Sequence, residues 1–370
     1  MKKIRNIYEK ICDFENLYQA YLEARKCKRY RQDVLQFSAN LEENLIQIQN
    51  ELLYKTYKVG RYREFFVYEP KKRLIMALPF KDRVVQWAIY RQLNPIFDKQ
   101  FIYDSYACRV GKGTHKAADR LQYWLRQVAR KPTKYYYLKL DITKYFYRIN
   151  HQILMEILQK KIDDPDLIWL LDTIINCEDT KFGLPLDTDP GECAPEDRLA
   201  DVGMPIGNLT SQMFANLYLN EVDQYAKHEL RLHYYIRYMD DIIILHHDKK
   251  YLHAIKDDIE RFLNDNLALQ LNGKTAIRPI GCGIEFVGFR IWPTHRKLKK
   301  KTALKMKHRL KYLQKAYARG EIGFDEVNAS MQSYFGLLKH CNSYNLRKKL
   351  CQTFVFTKGG NDIGCSKNSR

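Results

Sequence analysis

Paired cysteines are missing from this chain. Its nine cysteines, Cys12, Cys27, Cys108, Cys177, Cys193, Cys282, Cys341, Cys351 and Cys365, include no C-x-x-C pair. That scatter argues against a disulfide framework and against a zinc cluster, and it suits a reducing cytosol. Long apolar runs are also missing, so nothing approaches a membrane span. The N-terminal MKKIRNIYEKICDFENLYQAYLEARK is an amphipathic helical pattern with charges throughout, without the apolar centre of a secretion signal. The expectation is a soluble, cytoplasmic protein with no membrane partner. No internal repeat is present. Acidic residues are the short side of the charge balance: 43 against 63 basic ones, a formal charge of +20. Such an excess favours a polyanionic partner, because each Lys or Arg that meets a phosphate releases a condensed counterion.

What is present is enough for a large core. The 370 residues are 45% hydrophobic, which predicts two or three packed subdomains. Residues 1–55 read as a helical N-terminal extension, with Leu and Ile at three- and four-residue spacing through LEENLIQIQNELL. Strand patterns follow in YREFFVYEP and RLIMALP, joined by a basic turn at Pro70-Lys71-Lys72. Helices are expected in DRVVQWAIYRQLNPIF and THKAADRLQYWLRQVA, then a strand in YYYLKLDI and a helix over about Asn150–Lys161. The Gly- and Pro-containing acidic stretch 178–201 reads as a surface loop. A long helix is expected from about Asn208 to Leu230, followed by the strand pair YYIRYMDDIIIL. After Trp292-Pro293 comes a basic helical region, and the tail after about Lys358 has a disordered composition.

Two features carry chemistry. Tyr238-Met239-Asp240-Asp241 lies between the apolar runs at Tyr234–Ile236 and Ile242–Leu245. Buried carboxylates are paired or bind metal, because an isolated buried charge is expensive. At the turn of a hairpin, Asp240 and Asp241 would project from a sheet edge into a cleft. The alternative is an ordinary solvated turn. Asp141 ends a second apolar strand and precedes a helix, so it is either a further cleft carboxylate or a helix cap. Three carboxylates supply the hard oxygen ligands that suit Mg²⁺ or Mn²⁺.

In this order, Asp141-x4-Phe146, then Gly203-Met204-Pro205-Ile206-Gly207-Asn208-Leu209-Thr210-Ser211-Gln212, then Tyr238-Met239-Asp240-Asp241, the motifs resemble reverse transcriptases. More narrowly, they resemble the enzymes of diversity-generating retroelements of bacteria and phages, over about Tyr62 to Trp292. PFKDRVVQWAI and FIYDSYACRVGKGTHKA belong to the same likeness. The resemblance implies an α+β right-hand polymerase: fingers and palm over 56–292 with a small antiparallel sheet, a helical thumb over 293–357, and a tail at 358–370. It implies RNA-directed DNA synthesis with two Mg²⁺ ions (Mn²⁺ as the alternative) on Asp141, Asp240, Asp241 and the carbonyl of Ile142. Phe146 matches the aromatic gate that excludes ribonucleotides; the alternative is a core phenylalanine.

Further roles follow from the same resemblance. Lys72 and Arg73 match triphosphate-holding residues of the fingers, and Ile206 and Gly207 lie at the nucleotide. Lys274 would approach the pyrophosphate, an exposed turn lysine being the alternative. Arg109, Gly111, Gly113, Ser211, Gln212, Tyr238 and Met239 match template or primer positions, and Gly288 and Phe289 match a primer grip. Lys297, Lys299, Lys300, Lys301, Lys305 and Lys307 would line the thumb along a template–primer duplex. Most reverse transcriptases have Gln at position 206 and Pro at 212; here the pattern is I-G-x-x-x-S-Q. Loss of a polar nucleotide contact weakens discrimination, and in these retroelements it implies errors opposite template adenines, the source of mutagenic retrohoming. Implied partners are a dedicated template RNA, its RNA/DNA duplex, dNTPs and a small basic helical accessory protein. The competing readings are a defence-type or retron-like reverse transcriptase and an inactive RNA-binding module. A group II intron enzyme fits less well, since it carries Gln at 206 and a further splicing domain.

Overall fold

The computed structural model describes residues 3–68, 72–177 and 180–358. The expected basic turn falls partly, and the expected disordered tail almost wholly, outside the described residues.

The N-terminal extension is helical, as its periodicity requires: α1 (Tyr8–Cys12), α2 (Phe14–Ala24), α3 (Gln32–Ala39) and α4 (Leu41–Leu53). Strands β1 (Arg63–Val67) and β2 (Arg73–Ala77) pair antiparallel, with Val67 opposite Arg73. They are followed by α5 (Phe80–Asp98), α6 (Thr114–Ala129), β3 (Tyr136–Asp141), α7 (Tyr145–Arg148), α8 (His151–Lys161) and α9 (Pro165–Ile175). Next come α10 (Leu209–Gln224), β4 (Tyr235–Tyr238), β5 (Asp241–His246), α11 (Lys249–Leu267) and β6 (Ala276–Pro279). The chain ends in β7 (Ile284–Phe286), β8 (Phe289–Ile291), β9 (Arg296–Leu298), α12 (Lys300–Ala318), α13 (Phe324–Leu338) and α14 (Tyr344–Thr353). The class is α+β, as expected.

The chain forms two compact units, 1–111 with 138–244 and 249–277, and 112–137 with 245–248 and 278–370. In the first, α2 turns Leu17, Ala20, Tyr21 and Ala24 inward, an i, i+3, i+4, i+7 stripe that packs on α5. Tyr21, Phe37 and Phe80 join α2, α3 and α5 through ring contacts of 5.2–6.2 Å. Helix α10 is buried on nearly every side, from Thr210 to Asp223, and so serves as the central helix. A four-stranded sheet in the order β4-β5-β3-β6 contains both strands expected to carry chemistry.

One carboxylate fastens the N-terminal helices to this unit. Asp164 Oδ1 accepts from the backbone of Leu167 and caps α9, while Oδ2 accepts from the backbone N–H groups of Ile7 and Tyr8. The second unit has its own core of Met306, Leu310, Leu313, Leu338 and Leu350 from the three terminal helices. Its sheet has the order β7-β8-β9. The third strand replaces the start of the helical run expected from His295: Arg296–Leu298 pairs with β8 before α12 begins.

Asp164→Ala leaves three buried N–H groups without an acceptor. It should cost about 2–4 kcal/mol of stability, read from urea unfolding, whereas Asp163→Ala, which removes an exposed pair with Arg5, should cost under about 1 kcal/mol.

Candidate active site

The Tyr238–Asp241 hairpin is built as its sequence pattern demands. Ile236, Ile242, Ile243, Ile244 and Leu245 bury its two strands. Tyr238 pairs with Asp241, which leaves Met239 and Asp240 as a two-residue turn. Such a turn needs a positive φ to match the twist of its strands, and Met239 supplies it at φ 56°. A left-handed methionine costs about 1–2 kcal/mol, so something else must hold the turn.

Arg237 does so. Its side chain and that of Asp223 on α10 have no exposed surface. Arg237 Nε and Nη2 donate to the two oxygens of Asp223 at 2.8 and 2.6 Å. Nη1 donates to Asn216 Oδ1 at 3.3 Å and to the carbonyl of Met239 at 3.2 Å. Tyr235 donates its hydroxyl to Asp223 at 2.7 Å, and Asn216 donates to the carbonyl of Ala107 at 2.8 Å. Burial opposes the guanidinium's charge, but the Asp223 carboxylate outweighs it and holds the arginine's pKa above its ordinary value. The left-handed turn is thus tied through one side chain to the central helix.

Asp141 ends β3, the strand beside β5. Its carbonyl accepts from Asn272 at 2.7 Å, and buried Ile142 bridges Leu271. Lys139, two residues earlier and so on the same strand face, donates to Asp241 Oδ2 at 2.8 Å. The other Asp241 oxygen, Oδ1, is buried without a hydrogen-bond partner. The Asp241 carboxyl is pushed up to about 6, chiefly by burial, which Lys139 opposes and the charges of Asp141 and Asp240 reinforce. The donor set therefore fits a hard divalent cation: oxygen-only side chains, mutually repelling, with one buried oxygen unspent. The side chains are not drawn into one shell, since among the described residues no group of three acidic, His or Cys side chains has a metal-holding arrangement.

The second motif packs against both neighbours. The N–H of Met204 donates to the carbonyl of Phe146 and that of Gly203 to Ile149, both at 2.7 Å. Phe146 is half-buried, its ring 5.6 Å from that of Tyr145. The carbonyl of Ile206 accepts from the N–H of Met76 on β2. Gly207 has φ +126° and lies so close to β2 that a Cβ would sit 3.2 Å from Ile75. Gln86 Oε1 accepts from the N–H of Leu209 at the start of α10, and Asn208 donates to the Tyr62 hydroxyl. Ser211 is buried with its hydroxyl unpaired, while Gln212 and Gly207 line a cavity with Trp87.

Residues 68–313 match the family model described as Reverse transcriptase (RNA-dependent DNA polymerase). The chain belongs to the reverse transcriptase family. Domains of this family use divalent metals, and the right-hand polymerase class expected from the motifs is the family's own. The chain is 26% identical to Protein YkfC of Escherichia coli (strain K12), over 68% of this chain and 72% of that protein. It is 21% identical to the Putative COX1/OXI3 intron 2 protein of Saccharomyces cerevisiae, over 57% of this chain and 29% of that one. It is 27% identical to Nuclear intron maturase 2, mitochondrial, of Arabidopsis thaliana, over 35% and 19% respectively. The chain thus spans under a third of the latter two proteins. Among solved structures, apo telomerase from Candida tropicalis has a TM-score of 0.46 and 14% identity, over 66% of this chain and 49% of that one.

The other residues that the resemblance singled out have surroundings of their own. Arg109 is turned inward: Nε donates to Asp98 Oδ1 at 2.6 Å, and Nη1 and Nη2 donate to the carbonyls of Ile102, Ser105 and Asp98. It fastens its own loop. Lys72 donates to the carbonyl of Gly191 and covers the Phe66 ring; Arg73 opens β2, exposed. Lys274 is exposed in the turn after Asn272. Gly111 has φ +74°, and Gly113, φ +105°, precedes α6. In the second unit, Gly288, φ +87°, makes the β7–β8 turn. Buried Phe289 has the Arg296 guanidinium 5.6 Å over its ring. Of the basic residues expected on the thumb, Lys297 lies on β9 and Lys300, Lys301, Lys305 and Lys307 on α12, while Lys299 pairs with Glu285.

Three residues that the motifs did not single out hold the site. Lys139 was findable from strand alternation, and Arg237 from its place before the Tyr-Met-Asp-Asp turn. Lys144, at φ 48°, donates to the carbonyls of Pro185, Leu186 and Thr188, and nothing in the sequence foretells that.

Asp223→Ala should cost about 3–5 kcal/mol in urea unfolding, because it strands a buried guanidinium. The paired change Asp223→Leu/Arg237→Met should cost clearly less, since no charge is left uncompensated.

Proposed function

We propose that this reverse transcriptase is an active RNA-directed DNA polymerase of the diversity-generating type. The observation that carries the proposal is the pairing of a pinned hairpin, bearing Asp240 and Asp241, with a neighbouring strand that ends in Asp141. Divalent cations, Mg²⁺ or Mn²⁺, held by these carboxylates and the Ile142 carbonyl would supply charge neutralisation for the attacking and departing oxygens. The protein's own part is to position and to exclude. The hairpin holds the two carboxylates on a fixed backbone, and Lys139 donates to Asp241, one of the side chains that would hold the cation. Phe146 stands next to the 203–207 segment, where a ring can press on the sugar 2′ position. Lys72, Arg73 and Lys274 are the cations assigned to the triphosphate, and Ser211, Gln212, Tyr238, Met239, Gly111 and Gly113 are assigned to the template and primer.

Residues 56–292 act as fingers and palm and 293–357 as thumb, with Gly288 and Phe289 at a primer grip and the α12 lysines against duplex phosphates. Ile206 offers the incoming nucleotide an apolar side chain in place of an amide, which supports an enzyme that errs opposite template adenines. That reading places the chain in a bacterial or phage cytoplasm, with dNTPs, a dedicated template RNA and a small basic accessory protein as partners. A second reading, an RNA-binding role at introns, is favoured by the names of two relatives and would leave the protein without metal-dependent synthesis.

The test is primer extension on RNA by the purified chain with Mg²⁺ and four dNTPs, its products sequenced. Asp240→Ala/Asp241→Ala should reduce extension by roughly 10³-fold or more. Ile206→Gln should lower errors opposite adenine by roughly tenfold, the scale of one hydrogen bond. Accurate synthesis by the unaltered protein would refute the diversity-generating reading, and no synthesis, even with matched RNA and accessory protein, would refute the enzyme.

A further inference from the structure

The chain carries a formal charge of +20, yet the loop before the second motif is acidic: residues 184–198 hold five carboxylates against one arginine. Paired hydrogen bonds between the backbones of Gly183 and Leu199, at 3.0 and 3.1 Å, close its base, so it stands as an Ω-type loop. Basic side chains hold it down. Lys72 donates to the carbonyl of Gly191 at 3.0 Å, and Lys144 donates to the carbonyls of Pro185, Leu186 and Thr188. Arg148 Nη1 donates to the carbonyl of Leu184 at 3.2 Å. The loop's own Arg198 forks onto Glu64 of β1 at 2.5 and 2.8 Å.

The loop is seated on the surroundings of the proposed nucleotide pocket. Lys72 is itself one of the cations assigned to the triphosphate, and Phe146, the proposed gate, lies between Lys144 and Arg148. Lys72 lies so flat on the loop that a Cβ at Gly191 would meet its Cε and Nζ at 2.4 Å. Asp187, Asp189 and Glu192 stand exposed at the tip, where Asp189 Oδ1 accepts from the N–H of Gly191 at 2.8 Å. Burial is the largest influence raising the pKa of the Tyr147 hydroxyl, and the charges of Arg73, Arg198 and Asp189 also act on it. Charges of the loop and of β2 therefore converge on the residue next to Phe146.

We propose that residues 184–198 form an autoinhibitory strap, seated on Lys72 and Lys144 in the nucleotide-free protein and lifted by the triphosphate of the incoming nucleotide. The proposal rests on the polymerase reading for that triphosphate and adds a gate to it. On Lys72 the exchange replaces a neutral carbonyl by a phosphate oxygen, and an ammonium bonds the charged acceptor more strongly. The strap's own carboxylates repel the same phosphates, so the seated loop and the bound nucleotide oppose each other. By linkage the seated strap weakens nucleotide affinity by the factor with which the nucleotide weakens its seating.

The strap carries its own reporter, the half-buried thiol of Cys193. Its alkylation in the full chain is followed by mass spectrometry, with exposed Cys351 as the internal reference. Inorganic triphosphate alone, compared with sulfate at equal ionic strength, should speed Cys193 alkylation severalfold. The next complementary dNTP should do the same on an RNA/DNA complex whose primer is chain-terminated. Gly191→Ala, whose methyl group crowds Lys72 off the loop, should speed alkylation without any ligand. Asp189→Asn/Glu192→Gln should lower the KM for dNTP in primer extension roughly threefold to tenfold with kcat unchanged, the scale of two exposed charges. That gap should close at high salt. Alkylation unchanged or slowed by triphosphate would overturn the strap, as would a KM unchanged or raised by neutralising the loop. Triphosphate-driven exposure of Cys193 in a chain that makes no DNA would count against the enzyme and leave the strap standing. DNA synthesis with Cys193 unmoved by saturating dNTP would sink the strap alone.

Discussion

The buried pair of Arg237 and Asp223 is the contact on which the rest of the site depends. Two full charges without solvent are retained only when their geometry is close to ideal and every donor finds an acceptor. Here the guanidinium forks onto both carboxylate oxygens and spends its remaining nitrogen on Asn216 and the Met239 carbonyl. The backbone of Arg237 exchanges hydrogen bonds with Asp104 and Tyr106, so the 104–106 segment is fixed by the same residue. Three stretches of chain far apart in sequence therefore meet at one residue. Because α10 begins in the Ile206–Gln212 motif and carries Asp223 in its last turn, a single buried helix runs from the proposed nucleotide pocket to the proposed catalytic turn.

That arrangement accounts for a left-handed methionine at the turn and for carboxylates kept close despite their repulsion. Asp241 is about one quarter exposed, yet one of its oxygens is buried and unsatisfied while the other takes Lys139. Lys139 offsets part of that carboxylate's charge. A hard cation would offer more charge to the same oxygens.

Much of this was legible beforehand, and the reasons are specific. The hairpin announced itself because two apolar runs of strand length flank a polar pair with no room for a longer loop. Helix α10 was found within a residue of its start because Asn208 precedes an uninterrupted helical run. The α+β class followed from both. The inward bonds of Arg109 were not legible, because a basic residue among glycines looks the same whether its donors face a phosphate or its own loop carbonyls. Strand β9 was missed because Arg296–Leu298 is basic and lies against a helical run, so its pairing with β8 is decided by tertiary contacts alone.

Whether the pinned hairpin and β3 together make a divalent-cation site is read most directly from the binding of Mn²⁺ to the purified chain. Uptake is followed by the loss of the free-ion EPR signal, in the unaltered protein and in Asp240→Ala/Asp241→Ala. Saturable uptake competed by Mg²⁺ is expected in the first, and its loss in the second with the fold intact. Equal uptake by both proteins would contradict such a site.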